Sequence, residues 1–204
     1  MPAGQIVVLI LLGLAGCGSA RQAQAETADL TPGIRSSFMP RGQAGLDRLE
    51  QSEMQRLCSR AQPQELPARV KQRLQREALD SVRYPEDRRW LGDWQRGEQI
   101  AQSGVGLQYS DSAEAARGGN CYACHQISGT EIAFGTIGPS LYRYRQRNGD
   151  SIDSMRRTWA RIWNAHAFNA CSPMPRFGDA GILTPDQIRD LMALLLDPQS
   201  PVNR

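Results

Sequence analysis

Downstream of residue 45, apolar residues recur at spacings of three and four, the mark of helices with one buried face. Leu46, Leu49 and Leu57 predict a helix over 46–60, and Val70, Leu74 and Leu79 a second over 68–82. Pro63 and Pro67 separate the two, and Tyr84-Pro85 closes the second. Trp94 and Ile100 anchor a helix over 90–103, and Met155, Trp159, Ile162 and Trp163 another over 151–167. The last helix is the best punctuated. Thr184 stands as N-cap, Pro185 at the first position, Gln187 completes a capping box and Pro198 stops it. Its buried face is Ile188, Leu191, Met192 and Leu195. Residues 27–43, with Pro32, Gly33, Pro40 and Gly42, read as an extended linker, and 129–141 as a turn-rich segment. No convincing strand pair and no internal repeat stand out. The predicted class is all-α.

The pattern changes at the start of the chain. Ile6 to Ala15 is a run of about ten apolar residues, too short to cross a hydrocarbon core about 30 Å thick. It has the length of a secretory core region. Two exits follow: Leu14-Ala15-Gly16-Cys17, similar to a bacterial lipobox that would lipidate Cys17, and Ala23-Gln24-Ala25, an A-x-A cleavage site. No Lys or Arg precedes the run, which departs from the usual leader. The expected organisation is a secretory signal over 1–25, a linker and helical extension over 26–89, and a main domain over 90–204. The extension carries few apolar residues, and helices of this length are marginal alone, so it must pack on the rest of the chain or on a partner.

Charge narrows the picture only a little. The 204 residues carry a formal net charge of +3, and Lys71 is the sole lysine among basic residues that are otherwise arginine. The cluster 143–147 and the pair Arg156-Arg157 read as solvated faces. Nucleic acid would need a broader basic footprint. An acidic protein partner remains compatible with these clusters.

The chemistry concentrates in Gly118-Gly119-Asn120-Cys121-Tyr122-Ala123-Cys124-His125. A C-x-x-C-H run is the attachment signature of c-type haem. Thiols a turn apart, at Cys121 and Cys124, can each form a thioether to a haem vinyl group, and the adjacent His125 then falls under the iron as axial ligand. Thioredoxin-like chemistry would place the pair in a βαβ context, which this chain lacks. A structural zinc site needs four ligands, usually in two pairs, and only Cys58, Cys171 and His166 could complete one. For the second axial position the candidates are His166, Met155, Met174 and Met192. Met155 and Met192 fall on apolar helical faces, where methionine is core filler. Met174 lies between Pro173 and Pro175, whose fixed φ angles restrict the loop, and it is the expected ligand in a His/Met arrangement. With Cys17 out of the count by either route, as lipid anchor or within the discarded peptide, Cys58 and Cys171 remain as a candidate disulfide in an oxidising compartment. The competing reading makes one of them a reactive thiol, near Arg176 in the case of Cys171.

These residues resemble a class I cytochrome c domain: the helix over 90–103, CYACH, the Gly138-Pro139-Ser140-Leu141 turn, the Met174 loop and the final helix. The resemblance implies that the Pro139 carbonyl accepts a hydrogen bond from the second nitrogen of His125. Within that superfamily GGNCYACH, IGPSLYRY, MPRFG and LTPDQIRDLMALLLD are similar to SoxX, and cover the chain from Trp90 onward. That likeness implies one covalent haem c in a periplasmic heterodimer with a SoxA-like cytochrome. The pair would act as an L-cysteine S-thiosulfotransferase, coupling thiosulfate oxidatively to a cysteine of a SoxYZ-like carrier protein. Substrate chemistry would belong to the SoxA-like partner. The present subunit would pass electrons to a small cytochrome c. The alternative is a free-standing periplasmic carrier, or the cytochrome subunit of another dehydrogenase. Residues 26–89 carry no motif that bears on the choice.

Overall fold

The computed structural model describes residues 31–60 and 66–204; the predicted signal, its lipobox at Cys17, the Ala25 cleavage site and Pro63 lie outside them. The described residues form seven α-helices: α1 (Thr31–Ser37), α2 (Glu53–Arg60), α3 (Ala68–Asp80), α4 (Trp94–Gln102), α5 (Tyr144–Asn148), α6 (Ile152–Trp163) and α7 (Pro185–Leu196). Short 3₁₀ turns occupy Leu46–Leu49, Cys121–Ala123 and Ala165–Ala167. An isolated bridge between Arg41 and Ala44 is the nearest approach to a strand among the described residues. The fold is all-α.

Side-chain caps explain where the helices depart from their predicted limits. The span 46–60 splits because Ser52 and Gln55 form a reciprocal box: the Gln55 amide donates to Ser52 Oγ (3.3 Å) and the Ser52 amide to Gln55 Oε1 (2.8 Å). α4 starts at Trp94, not Trp90, because the Asp93 carboxylate accepts from the amides of Gln95 and Arg96. α6 stops at Trp163, where Asn164 turns extended and its side chain accepts from the His166 amide. The capping box of Thr184 and Gln187 forms as the sequence dictates. One linker expectation is corrected: residues 31–37 are helical although Pro32 and Gly33 fall within them, since proline is tolerated in a helix's first turn.

α4 and α7 cross at close range. A methyl added at Gly97 would lie 2.1 Å from the Asp190 carbonyl oxygen, so only hydrogen fits. Ala101 of α4 and Ile188, Leu194 and Met192 of α7 are buried. The Asp190 carboxylate, on the same face, accepts from the Asp93 amide and from two nitrogens of Arg96 (2.7–2.9 Å). α6 closes the core with Trp159, which packs edge-on to Trp90 and stacks with Trp163. Each such apolar side chain contributes about 1.5–3 kcal/mol by leaving water.

The extension lies on this core through a few specific contacts. α3 buries Leu74 and Ala78 and packs on the turn Ala165–Ala167. Trp159 Nε1 donates to the Arg83 carbonyl (2.9 Å), and Asn164 Nδ2 to Ser81 Oγ (3.1 Å). Cys58 and Cys171 form a disulfide with Cα atoms 5.5 Å apart.

Candidate functional site

The C-x-x-C-H turn is tied to the end of α4. The Gly119 amide donates to the Ile100 carbonyl (2.8 Å) and the Asn120 amide to that of Ser103 (2.9 Å). Asn120 then adopts a left-handed conformation (φ 46°), which asparagine tolerates better than most side chains. That bend launches the Cys121–Ala123 turn, and the His125 amide closes it on the Cys121 carbonyl (2.9 Å).

His125 is oriented by the segment that crosses behind it. Its Nδ1 donates to the Pro139 carbonyl at 2.7 Å, so Nε2 keeps the lone pair a metal requires. The Gly138 amide donates to the Cys124 carbonyl (2.8 Å). A methyl at Gly138 would lie 2.2 Å from His125 Cε1. The imidazole therefore rests on bare backbone.

Cys121, His125, Pro139 and Met174 line one cleft of about 490 Å³, with Leu141, Ile162, Phe177, Leu191 and Leu195 among its apolar walls. This volume is within the range of about 300–1,000 Å³ usual for cofactor sites. The wall carries one buried polar pair, Tyr144 Oη and Thr158 Oγ1, at 2.9 Å. Its charged residues are both basic, Arg147 and Arg161. Arg147 Nη2 donates to the Ser140 carbonyl, and the Arg161 guanidinium lies 4.7 Å from the Phe168 ring centroid. Cys124 is half-buried and not among the lining residues.

The donor set fits haem c. It offers two free cysteines, a histidine with a committed Nδ1, a thioether, apolar walls, and two cations that could offset a haem's carboxylates. It does not fit dithiol chemistry: burial pushes the Cys121 thiol up to about 12, whereas reactive C-x-x-C thiols are depressed. The ligands that a zinc site would need are engaged elsewhere. Cys58 and Cys171 are bonded to each other, and His166 Nε2 donates to the Ser172 carbonyl (3.0 Å) beside them. The same bond removes both cysteines as free nucleophiles. Met192 is fully buried in the core, and Met155 packs against it.

Sequence reasoning missed three residues here. Arg147 read as part of a solvated cluster and Arg161 carried no reading; both are exposed, and both also line the cleft. Gly138 was legible as part of a turn, but nothing local disclosed that its missing side chain is the floor under His125.

Residues 94–197 match the family described as Cytochrome c. An uncharacterized lipoprotein of Aquifex aeolicus (strain VF5) is 40% identical over 131 residues, or 63% of this chain and 61% of the relative. The chain thus matches about three fifths of that relative's length. It belongs to the cytochrome c family, in its all-α class I form, whose domain implies covalently bound haem c.

Proposed function

We propose that this protein carries a single haem c with His125 and Met174 as axial ligands, and that it is the electron-transfer subunit of a SoxAX-type thiosulfate-oxidising complex. The observation that carries the haem reading is the convergence of Cys121, His125 and Met174 on one apolar cleft. Bound haem c supplies one-electron redox chemistry, and a methionine ligand raises its potential relative to two histidines. The residues of this chain bind and orient it. Pro139 fixes the His125 tautomer through its carbonyl, Arg147 and Arg161 offset negative charge at the cleft, and Ile162, Leu191 and Leu195 keep water out.

The SoxX-like motifs from Trp90 onward support the finer assignment. On this reading a SoxA-like subunit holds the substrate chemistry, a SoxYZ-like carrier presents the cysteine, and a small cytochrome c takes the electrons. The complex would then act as an L-cysteine S-thiosulfotransferase. Export follows from the apolar leader, and lipidation of Cys17 would anchor the protein. That the relative is described as a lipoprotein supports the anchored form, which is equally open to a free-standing membrane-tethered carrier.

Purification from the native host tests both levels. A pyridine haemochrome assay is expected to give one haem per chain, with a near-infrared Met-to-iron band that Met174→Leu abolishes. Recovery with a second cytochrome, and loss of thiosulfate-dependent growth on deletion, would support the SoxAX assignment. Recovery alone with unaltered growth sinks that assignment and leaves the haem site standing.

A further inference from the structure

The extension lies outside the matched family region; one set of its contacts falls on residues 164–171, which lead into Met174, and another, from Gln43 and Arg48, on residues 107–111. α3 packs against the turn Ala165–Ala167. Gln75 Nε2 donates to the Phe168 carbonyl (2.8 Å), Asn164 Nδ2 donates to Ser81 Oγ (3.1 Å), and Cys58 is bonded to Cys171. The haem domain grips the same stretch from within. His166 Nε2 donates to the Ser172 carbonyl (3.0 Å), the Cys171 amide to Asn169 Oδ1 (3.2 Å) and the Met174 amide to Ser172 Oγ (3.2 Å).

Between the disulfide and Met174, successive joints of the chain are held. Cys171 is covalently fixed, the Ser172 carbonyl is engaged, Pro173 and Pro175 have restricted φ, and the Met174 amide is bonded. Such a loop would otherwise sit at the low-stability end of the molecule, since most of its residues are half-buried or exposed.

We propose that the extension is a positioning device for Met174: the Cys58–Cys171 bond, supported by Gln75, holds the loop closed over the cleft and keeps outside ligands from the sixth iron position. This rests on Met174 as the iron ligand. Small ligands compete for that position only while the loop is open, so their apparent affinity scales with the open fraction. A tether that lowers the open fraction weakens them in proportion. The tether acts without touching haem, so Cys58, Cys171 and Gln75 are positioning residues.

The test uses the full-length, haem-loaded ferric protein, titrated with imidazole and followed by absorption, alongside amide exchange by mass spectrometry. The double variant Cys58→Ser/Cys171→Ser is expected to bind imidazole about tenfold more tightly. Amides of residues 169–178 should exchange faster, and those of 121–125 should not. A gain of threefold or more supports the proposal and a smaller one overturns it. Should the double variant fail to load haem, Gln75→Ala with the disulfide intact takes its place. Faster exchange at residues 168–172 then supports the proposal, and unchanged exchange overturns it. Met174→Ala separates the two levels. If it binds imidazole no more tightly than the parent, the ligand reading fails and the proposal with it. If it binds far more tightly while the double variant does not, the proposal alone fails.

Discussion

At Gly138 the floor of the proposed haem site is backbone. The His125 ring lies so close that an added Cβ would stand 2.2–2.7 Å from three of its atoms, nearer than van der Waals contact allows. Gly138→Ala must therefore displace either the ring or the turn, and displacing the ring breaks the Nδ1 bond to Pro139. Haem-loaded yield is expected to fall several-fold, and in the fraction that loads the potential should rise, because an imidazole freed of that bond is a less basic ligand and favours the oxidised iron less. Pyridine haemochrome yield and redox titration check both outcomes. Pro139→Ala is the control, since it keeps the accepting carbonyl and loses only ring rigidity. It should load haem nearly normally, and equal failure of both variants would remove the steric argument.

Among the elements, the α4–α7 crossing and the disulfide are the contacts that single substitutions can test. Gly97 meets the Asp190 carbonyl where no side chain fits, so Gly97→Ala forces the helices apart and strains the Arg96–Asp190–Asp93 contacts on the same face. Overpacking of this kind costs about 1–3 kcal/mol, read as a lower guanidinium midpoint with the covalent haem retained. The Cys58–Cys171 bond closes a stretch with a sequence separation of 113. The chain-entropy model assigns such a loop about 5 kcal/mol, against about 2–4 for typical disulfides. Replacing both cysteines by serine is expected to cost about 2–4 kcal/mol in denaturant unfolding. A cost below about 1 kcal/mol would mean that α3 docks on the turn Ala165–Ala167 unaided.

For the whole molecule, the sequence disclosed what is local or counted. CYACH, the Pro139 turn and the Thr184–Gln187 box are short motifs, and the disulfide follows from cysteine parity. What stayed hidden is contact across long separations. Gln75 meets Phe168 over 93 residues and Gln43 reaches Gln108 over 65, pairings that leave no periodic trace. Arg147 looks like its neighbour Arg145 in sequence, yet Arg145 pairs with Asp150 while Arg147 lines the cleft. Shorter-range contacts set the response to acid. Arg73 holds Glu53 below the usual carboxylate range through a hydrogen bond and its charge, Arg89 does the same for Asp87, and the amides of Gly106 and Gln108 do so for Asp111. A depressed carboxyl stabilises the fold above its unfolded value, and that stability is lost as pH falls through the folded one. This places one decline below about pH 4. His166 moves the other boundary. Burial holds its imidazole below the ordinary range, against the pull of the Ser172 carbonyl, with Arg176 lowering it further and Asp179 raising it. The unfolded chain then binds the proton first, so stability is complete above about pH 6.5 and falls beneath it. Urea midpoints measured from about pH 8 to 3 should decline in two steps. His166→Gln is expected to remove the upper step and leave the lower one, and an upper step that survives the substitution would assign it to another group.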